Sequence, residues 1–227
     1  MRTGAGMCTI VADFEVADVY QSGAPHILFE PLESLVEFSK HLDDDRRRAV
    51  LVGPGAGRED AKALRAAVID VLGTRKAAVI DADALSVFEG HGRELFDALH
   101  DNVVLTPHEG EFTRVFGDML PGTRADNATD AAKKSNAVVV LKGAETIIAH
   151  PDGRIVVNTH ASPWLASAGT GDVLAGMVLG LMAQGMSAFD AACAATWMHG
   201  DASLKIGPGL VAPDLVVQIP AVLKGIL

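Results

Sequence analysis

Four consecutive residues have the types and spacing for chemistry: Gly169, Thr170, Gly171 and Asp172, which open the apolar run from Val173 to Ala183. A Gly-rich turn at a helix start leaves backbone N–H groups unpaired, and with the helix dipole these attract an anion. A carboxylate beside that anion repels it, unless the carboxylate takes a proton from a group attacking the anion. On this reading Gly169, Thr170 and Gly171 form an anion hole and Asp172 is a base. The plainer reading makes Asp172 a helix cap and the glycines a tight turn. The stretch alone does not choose between them.

Three other constellations bear on the choice. Gly53-Pro54-Gly55-Ala56-Gly57 follows the apolar run Ala49–Val52 and precedes a helical pattern, as a phosphate-cradling loop would. A turn that lets strand and helix pack closely fits equally well. Asp81 and Asp83 end the next apolar run, where a dinucleotide-binding Rossmann unit carries its ribose-binding acid. An NAD-dependent oxidoreductase therefore stays open. Thr106-Pro107-His108-Glu109-Gly110-Glu111 puts two carboxylates and an imidazole in one turn. A carboxylate here could hold Mg²⁺ through water, and His108 could bond a ligand amide or phosphate. Glu109 and Glu111 could equally complement a helix dipole. Lys142 leaves an apolar strand and is either a phosphate contact or a lysine snorkelling at the sheet edge. Gly176 and Gly180 read as helix-packing positions, and Trp197 and His199 as structural or rim residues.

The elements that must position these residues alternate strand, loop and helix. Strands are expected at Cys8–Ala12, His26–Phe29, Ala49–Val52, Ala77–Ile80, Val103–Leu105 and Ala137–Leu141, the first two read as buried. Thr146–Ala149 and Ile155–Val157 bracket the turn Pro151-Asp152-Gly153 and read as a hairpin. Helices are expected at Leu32–Leu42, Arg58–Leu72, Glu109–Phe116, Ala125–Ser135, Asp172–Gln184, Ala188–Leu204 and Asp214–Leu223. Short all-apolar strands alternating with helices imply an α/β fold, a mostly parallel central sheet with helices on both faces, in one domain over residues 1–227. Ligands in such sheets bind at the carboxyl ends of the strands. The polar and Gly-rich punctuation of this chain collects there.

Composition narrows the function classes. The 227 residues carry a net charge of −10, and the one dense basic cluster, Arg46-Arg47-Arg48, follows Asp43-Asp44-Asp45. Nucleic-acid and anionic-membrane partners are not expected. Cys8 and Cys193 form no CxxC and no secreted-style framework, so the chain reads as a reduced cytoplasmic protein with both thiols in the core. No signal-peptide pattern opens it. Its longest apolar run is well short of the ~20 residues that span a bilayer.

Taken together, the loops from Gly53 to Gly57, Asp81 to Leu85, Thr106 to Glu111, Lys142 to Thr146 and Gly169 to Gly176 occur in an order and spacing that resembles the ADP/ATP-dependent NAD(P)H-hydrate dehydratases of the ribokinase-like superfamily. The resemblance runs from Gly4 over nearly the whole chain. It implies a repair reaction, in which NADHX or NADPHX is phosphorylated on its ring hydroxyl by ADP or ATP and then loses phosphate to restore NADH or NADPH. Bacterial members generally use ADP and leave AMP. By motif, Lys142, Gly143, Ala144, Glu145, Thr146 and Gly171 would contact the nucleotide. Gly55, Gly57, Asp83, His108 and Asp172 would face the hydrated cofactor, with Asp172 as the base. Mg²⁺ is implied, with Glu111 touching it through water. A vitamin-precursor kinase of the same fold and a Rossmann-type NAD-binding protein are the alternatives.

The resemblance also implies departures. Family members usually carry a further N-terminal strand and helix ahead of Thr3-Gly4-Ala5-Gly6, so the chain reads as N-terminally short. An edge exposed in that way favours a homo-oligomer. Many bacterial members are fused to an NAD(P)H-hydrate epimerase domain, which implies a functional link. Where relatives have a Gly-Asn-Pro-Gly type sequence, this chain has Ala161-Ser162-Pro163-Trp164. The Asn contacts would then be lost or taken over in part by Ser162.

Overall fold

A computed structural model describes residues 1–118 and 122–226. The chain opens with β1 (Thr9–Ala12), a 3-10 turn, α1 (Ala17–Gly23) and β2 (Leu28–Pro31). After a second 3-10 segment at Leu35–Leu42 come β3 (Ala49–Val52), α2 (Ala61–Gly73), β4 (Ala77–Ile80), α3 (Asp83–Ser86), α4 (Gly92–Ala98), β5 (Val103–Leu105) and α5 (Glu109–Phe116). Then follow α6 (Arg124–Ser135), β6 (Val138–Leu141), β7 (Thr146–Ala149), β8 (Ile155–Asn158) and the long helices α7 (Thr170–Met182), α8 (Ala188–Ile206) and α9 (Ala212–Lys224).

Strands β3 to β8 form one sheet in sequence order. The first four are parallel, in a register that sets Val52 beside Ile80 and Leu105 beside Val139. The last two are antiparallel, joined by the hairpin read at Pro151–Gly153. Alternation along the strands builds two cores. Ala78, Ile80, Val103, Leu105, Val139 and Leu141 pack against α2 to α6. Ala77, Val79, Val104, Val138 and Val140 pack against α7, α8 and α9. Strands β4 to β6 are covered on both faces and bury every side chain, which is why each reads as an unbroken apolar run, whereas β3 is mostly half-buried and β8 mostly exposed.

The N-terminal part departs from expectation. β1 and β2 pair in parallel with each other and stay outside the six-stranded sheet. They are half-buried to exposed rather than buried, and Leu28 keeps 51% of its surface. A four-residue apolar run states β propensity but not which sheet will take it. The helix expected at Leu32–Leu42 is the shorter 3-10 segment, capped by Ser34. The helix expected from Arg58 starts at Ala61, because the Asp60 side chain accepts from the Ala63 amide and fixes the cap there. Helices α1, α3 and α4 are too short to show a helical period and were not expected. Both cysteines are half-buried, not core. Gly180 receives Thr3 of the N-terminal segment, whose hydroxyl donates to the Met177 carbonyl at 3.3 Å; Gly176 faces open space, so neither glycine serves helix packing. No helix among the described residues is long and apolar enough to cross a membrane.

Candidate active site

The carboxyl ends of β3 and β4 meet so closely that Gly53, at φ 129°, has no room for a Cβ against the Asp81 carbonyl. Beyond it the turn is tied down from the next strand: the Gly57 amide donates to Asp83 Oδ2 at 3.1 Å. Arg58 Nε lies 3.6 Å from Asp83 Oδ1. Between the two aspartates Ala82 sits at φ 49°, a conformation that L residues rarely adopt. That sharp turn sends Asp83 outward to Gly57 and Asp81 inward. Asp81 is 1% exposed; its Oδ1 meets Lys142 Nζ at 2.8 Å and its Oδ2 has no hydrogen-bond partner among the described residues. Both carboxylates are thus directed at the protein, not at a ribose, and the Rossmann alternative loses its acidic residue.

At the end of β5 the chain stays beside β6, since the Lys142 amide donates to the Pro107 carbonyl at 2.9 Å. His108 then caps α5. Its Nδ1 accepts from the Gly110 and Glu111 amides at 3.0 and 3.3 Å, and Glu111 Oε2 accepts from the His108 amide at 2.9 Å. Because Nδ1 is an acceptor, the ring proton is on Nε2, 3.3 Å from Glu111 Oε1. The reading of His108 as a ligand contact is therefore qualified: the ring is exposed at the site's rim, but both nitrogens face the capping box. Glu111 is buried with both oxygens directed at His108, and Oε2 lies 3.8 Å from Lys142 Nζ. This cap leaves water-mediated contact as the remaining route from Glu111 to a cation. Among the described residues no group of three His, Cys, Asp or Glu side chains could hold a metal.

The loop after β6, Lys142 to Thr146, is clamped from outside by Arg124. Its guanidinium donates to the Glu145 and Lys142 carbonyls at 2.7 and 3.0 Å and lies 2.9 Å from Glu109 Oε1. It also fills the space a side chain at Gly143 would need. Arg124 was missed in the sequence. The signal was there: an arginine at the first position of a helix opposes the dipole, so something else must pay for it.

The four opening residues divide their duties. Gly169 takes the left-handed N-cap conformation at φ 81°. Thr170 is buried; its hydroxyl donates to the Leu165 and Ser167 carbonyls at 2.7 and 2.8 Å, and its amide reaches back to Ser167 at 3.4 Å. Thr170 therefore fastens the turn instead of lining an anion hole. The Thr170 carbonyl accepts from Nε2 of buried His199 at 2.9 Å, and burial pushes that imidazole down to about 4. The next amides, of Gly171 and Asp172, have no acceptor among the described residues. Lys142 Nζ stands 3.3 Å from the place a Cβ on Gly171 would occupy. The Asp172 carboxyl lies above the ordinary aspartate range, first because packing desolvates it, then because Asp81 repels its charge; Lys142 opposes this and Asp83 adds to it. A surface hollow of about 730 Å³ is lined by Gly57, Arg58, Arg65 and Asp83. Ser162 lies outside the arrangement: its hydroxyl accepts from the Trp164 amide at 3.2 Å and its amide donates to Ser203 at 3.0 Å, so it caps its own turn.

A mostly parallel sheet with helices on both faces, carrying an aspartate and free amides at a late helix start, defines a ribokinase-like α/β protein. Structural similarity agrees: hydroxyethylthiazole kinase from Pyrococcus horikoshii shares the fold at TM-score 0.68 and 18% identity, over 98% of this chain and 89% of its own. The family described as NAD(P)H-hydrate dehydratase matches residues 1–215, and the chain belongs to it. It is 43% identical over 199 residues to the bifunctional NAD(P)H-hydrate repair enzyme Nnr of Salinibacter ruber, covering 84% of this chain and 35% of that one. It is 38% identical over 206 residues to the ADP-dependent (S)-NAD(P)H-hydrate dehydratase of Neisseria meningitidis, 87% of this chain and 67% of that one. The chain thus spans about a third of the bifunctional relative and two thirds of the other. The ADP/ATP-dependent NAD(P)H-hydrate dehydratase of Bacillus subtilis, co-crystallised with ATP/Mg²⁺, superposes at TM-score 0.82 with 29% identity, over 100% of this chain and 82% of its own.

Proposed function

We propose that the chain dehydrates NADHX and NADPHX at the expense of ADP or ATP, through a phosphorylated intermediate. One observation carries the reading: a carboxyl of raised pKa stands at a helix start whose Gly171 and Asp172 amides have no acceptor among the described residues, with a lysine ammonium beside Gly171. A base poised above the usual carboxylate range takes a proton more readily from a weak acid such as a ring hydroxyl. Asp172 accepts that proton as the hydroxyl oxygen attacks the terminal phosphorus, and the bond to the bridging oxygen breaks to release AMP or ADP. The amides of Gly171 and Asp172, with Lys142, neutralise the transferring group. The ring nitrogen then pushes its electron pair toward the carbon bearing the phosphate, phosphate leaves, and loss of the neighbouring ring proton restores the dihydronicotinamide.

The nucleotide lies along Lys142 to Thr146, on the loop that Arg124 holds. The hydrated cofactor extends along Gly55, Gly57, Asp83 and the rim at His108, into the hollow beyond Arg58. The carboxylates present suit a Mg²⁺ carried by the nucleotide's phosphates and touching Glu111 through water, the usual manner for this ion, and do not suit a protein-held one. Bound there, Mg²⁺ would supply charge neutralisation for phosphoryl transfer.

Mixing NADHX, ADP and Mg²⁺ with the protein and following the dihydronicotinamide absorbance band tests the proposal. Appearance of the band with stoichiometric AMP is expected. A stable phosphorylated product without NADH would make the chain a small-molecule kinase, and ligand binding without any turnover would remove the catalytic reading.

A further inference from the structure

We propose that Asp81 is a positioning residue, which holds the Lys142 ammonium beside Gly171, where the phosphoryl group passes. The inference deepens the reading above and rests on it for the identity of the passing group. Three features argue that the local chain is built around this carboxylate. Asp81 is 1% exposed at the end of an interior strand. The residue after it, Ala82, is held at φ 49°, and the residue facing its carbonyl must be Gly53. Oδ1 meets Lys142 Nζ at 2.8 Å while Oδ2 has no partner among the described residues. A buried carboxylate with one oxygen unpaired costs stability, so packing alone does not account for it.

The alternatives for Lys142 show what the contact does. Its side chain is 19% exposed and, among the described residues, its other ion-pair partner is Glu111 Oε2 at 3.8 Å, already accepting from the His108 amide. Freed from Asp81, a flexible four-carbon stem would carry the ammonium to Glu111 or to water, away from Gly171. The groups coupled to Lys142 are thus Asp81 just after β4, Glu111 from α5, Asp172 from α7 and His199 from α8; those acting on Asp172 are Asp81, Lys142 and Asp83. Asp81 fixes the cation and, through its own charge, sets how tightly the base holds its proton.

The test combines Asp81→Asn, Lys142→Met and the double variant. Asp81→Asn is expected to lower kcat about 10–100-fold, the range seen for groups that orient a reacting residue, and to move the acid limb of the kcat profile to lower pH. In the Lys142→Met background the same substitution should change kcat by less than about twofold, because the residue it acts through is gone. Asp81→Glu keeps the charge and should keep part of kcat. An activity-independent readout is the ¹⁵N signal of the Lys142 ammonium, slowed in exchange by the ion pair and expected to vanish in Asp81→Asn. A retained signal, or additive losses in the double variant, overturns the proposal. If the wild type shows no dehydratase turnover but loses the ammonium signal on Asp81→Asn, the functional reading fails and the tether stands.

Discussion

The two flanks of the Gly169–Asp172 turn are built differently. On the Lys142 flank, a guanidinium from another helix grips two carbonyls of the loop, and a buried ion pair fixes the lysine that opens it. On the Gly57 flank, one amide-to-carboxylate bond and a 3.6 Å ion pair at a half-exposed arginine hold the loop over an open hollow. The contrast suits two kinds of ligand. A nucleotide whose phosphate must arrive in line needs a shelf formed in advance, whereas a substrate that extends over the surface can order its own contacts as it binds.

The largest effect tests the turn that both flanks share. Asp172→Asn should cut kcat about 10²–10⁴-fold with both ligands still bound in titration calorimetry. It should also raise the melting temperature. A carboxyl whose folded pKa is raised loses stability as pH climbs from the ordinary aspartate value through the folded one, so at neutral pH removing its charge stabilises the fold.

His199 anchors the same turn from below, and its effect is read in stability. Its pKa falls from 6.5 when unfolded to about 4 when folded. The stability tied to the neutral ring is therefore complete above pH 6.5 and lost as pH drops through 4, a total of about 3 kcal/mol. Melting curves between pH 7 and pH 4 should show this slope, and His199→Gln should flatten it.

On the rigid flank, Arg124→Ala removes a charged donor from two carbonyls, worth about 1.5–3 kcal/mol. The nucleotide KM should rise while the KM for NADHX stays put. On the open flank, Asp83→Ala frees the Gly57 amide at a cost of about 0.5–1.5 kcal/mol. Steady-state kinetics should show the opposite pattern, a raised KM for NADHX at constant nucleotide KM. If Arg124→Ala and Asp83→Ala shift both constants alike, the flanks are not separate sites.

Most of the sheet was legible because its strands are short apolar runs, fully buried from β4 to β6, and its loops carry their own punctuation. Ala49–Val52, Ala77–Ile80, Val103–Leu105 and Thr146–Ala149 lie where their apolar runs placed them. The strand-end loops were legible as candidate site loops for the same reason. Side-chain duties within them were not. Thr170 reads as an anion ligand until its hydroxyl is seen bonded to Leu165 and Ser167. His108 reads as a ligand contact until its Nδ1 is found capping α5. A hydroxyl or imidazole bonds whichever partner folding brings within about 3 Å, and local sequence does not name that partner.

By itself the sequence determined the order of the six sheet strands and of the long helices, the edge of the sheet where polar and Gly-rich loops gather, and Asp172 as the candidate base there. Periodicity and glycine placement are local properties and survive without the fold. Only the tertiary structure decided that β1 and β2 stand apart from the main sheet, and that Arg124 grips a loop 18 residues away. It also decided that Asp81 and Lys142, 61 residues apart, make one buried pair. Such pairs depend on which strand ends lie side by side, and that order is set by packing the two cores, not by any residue's own preference.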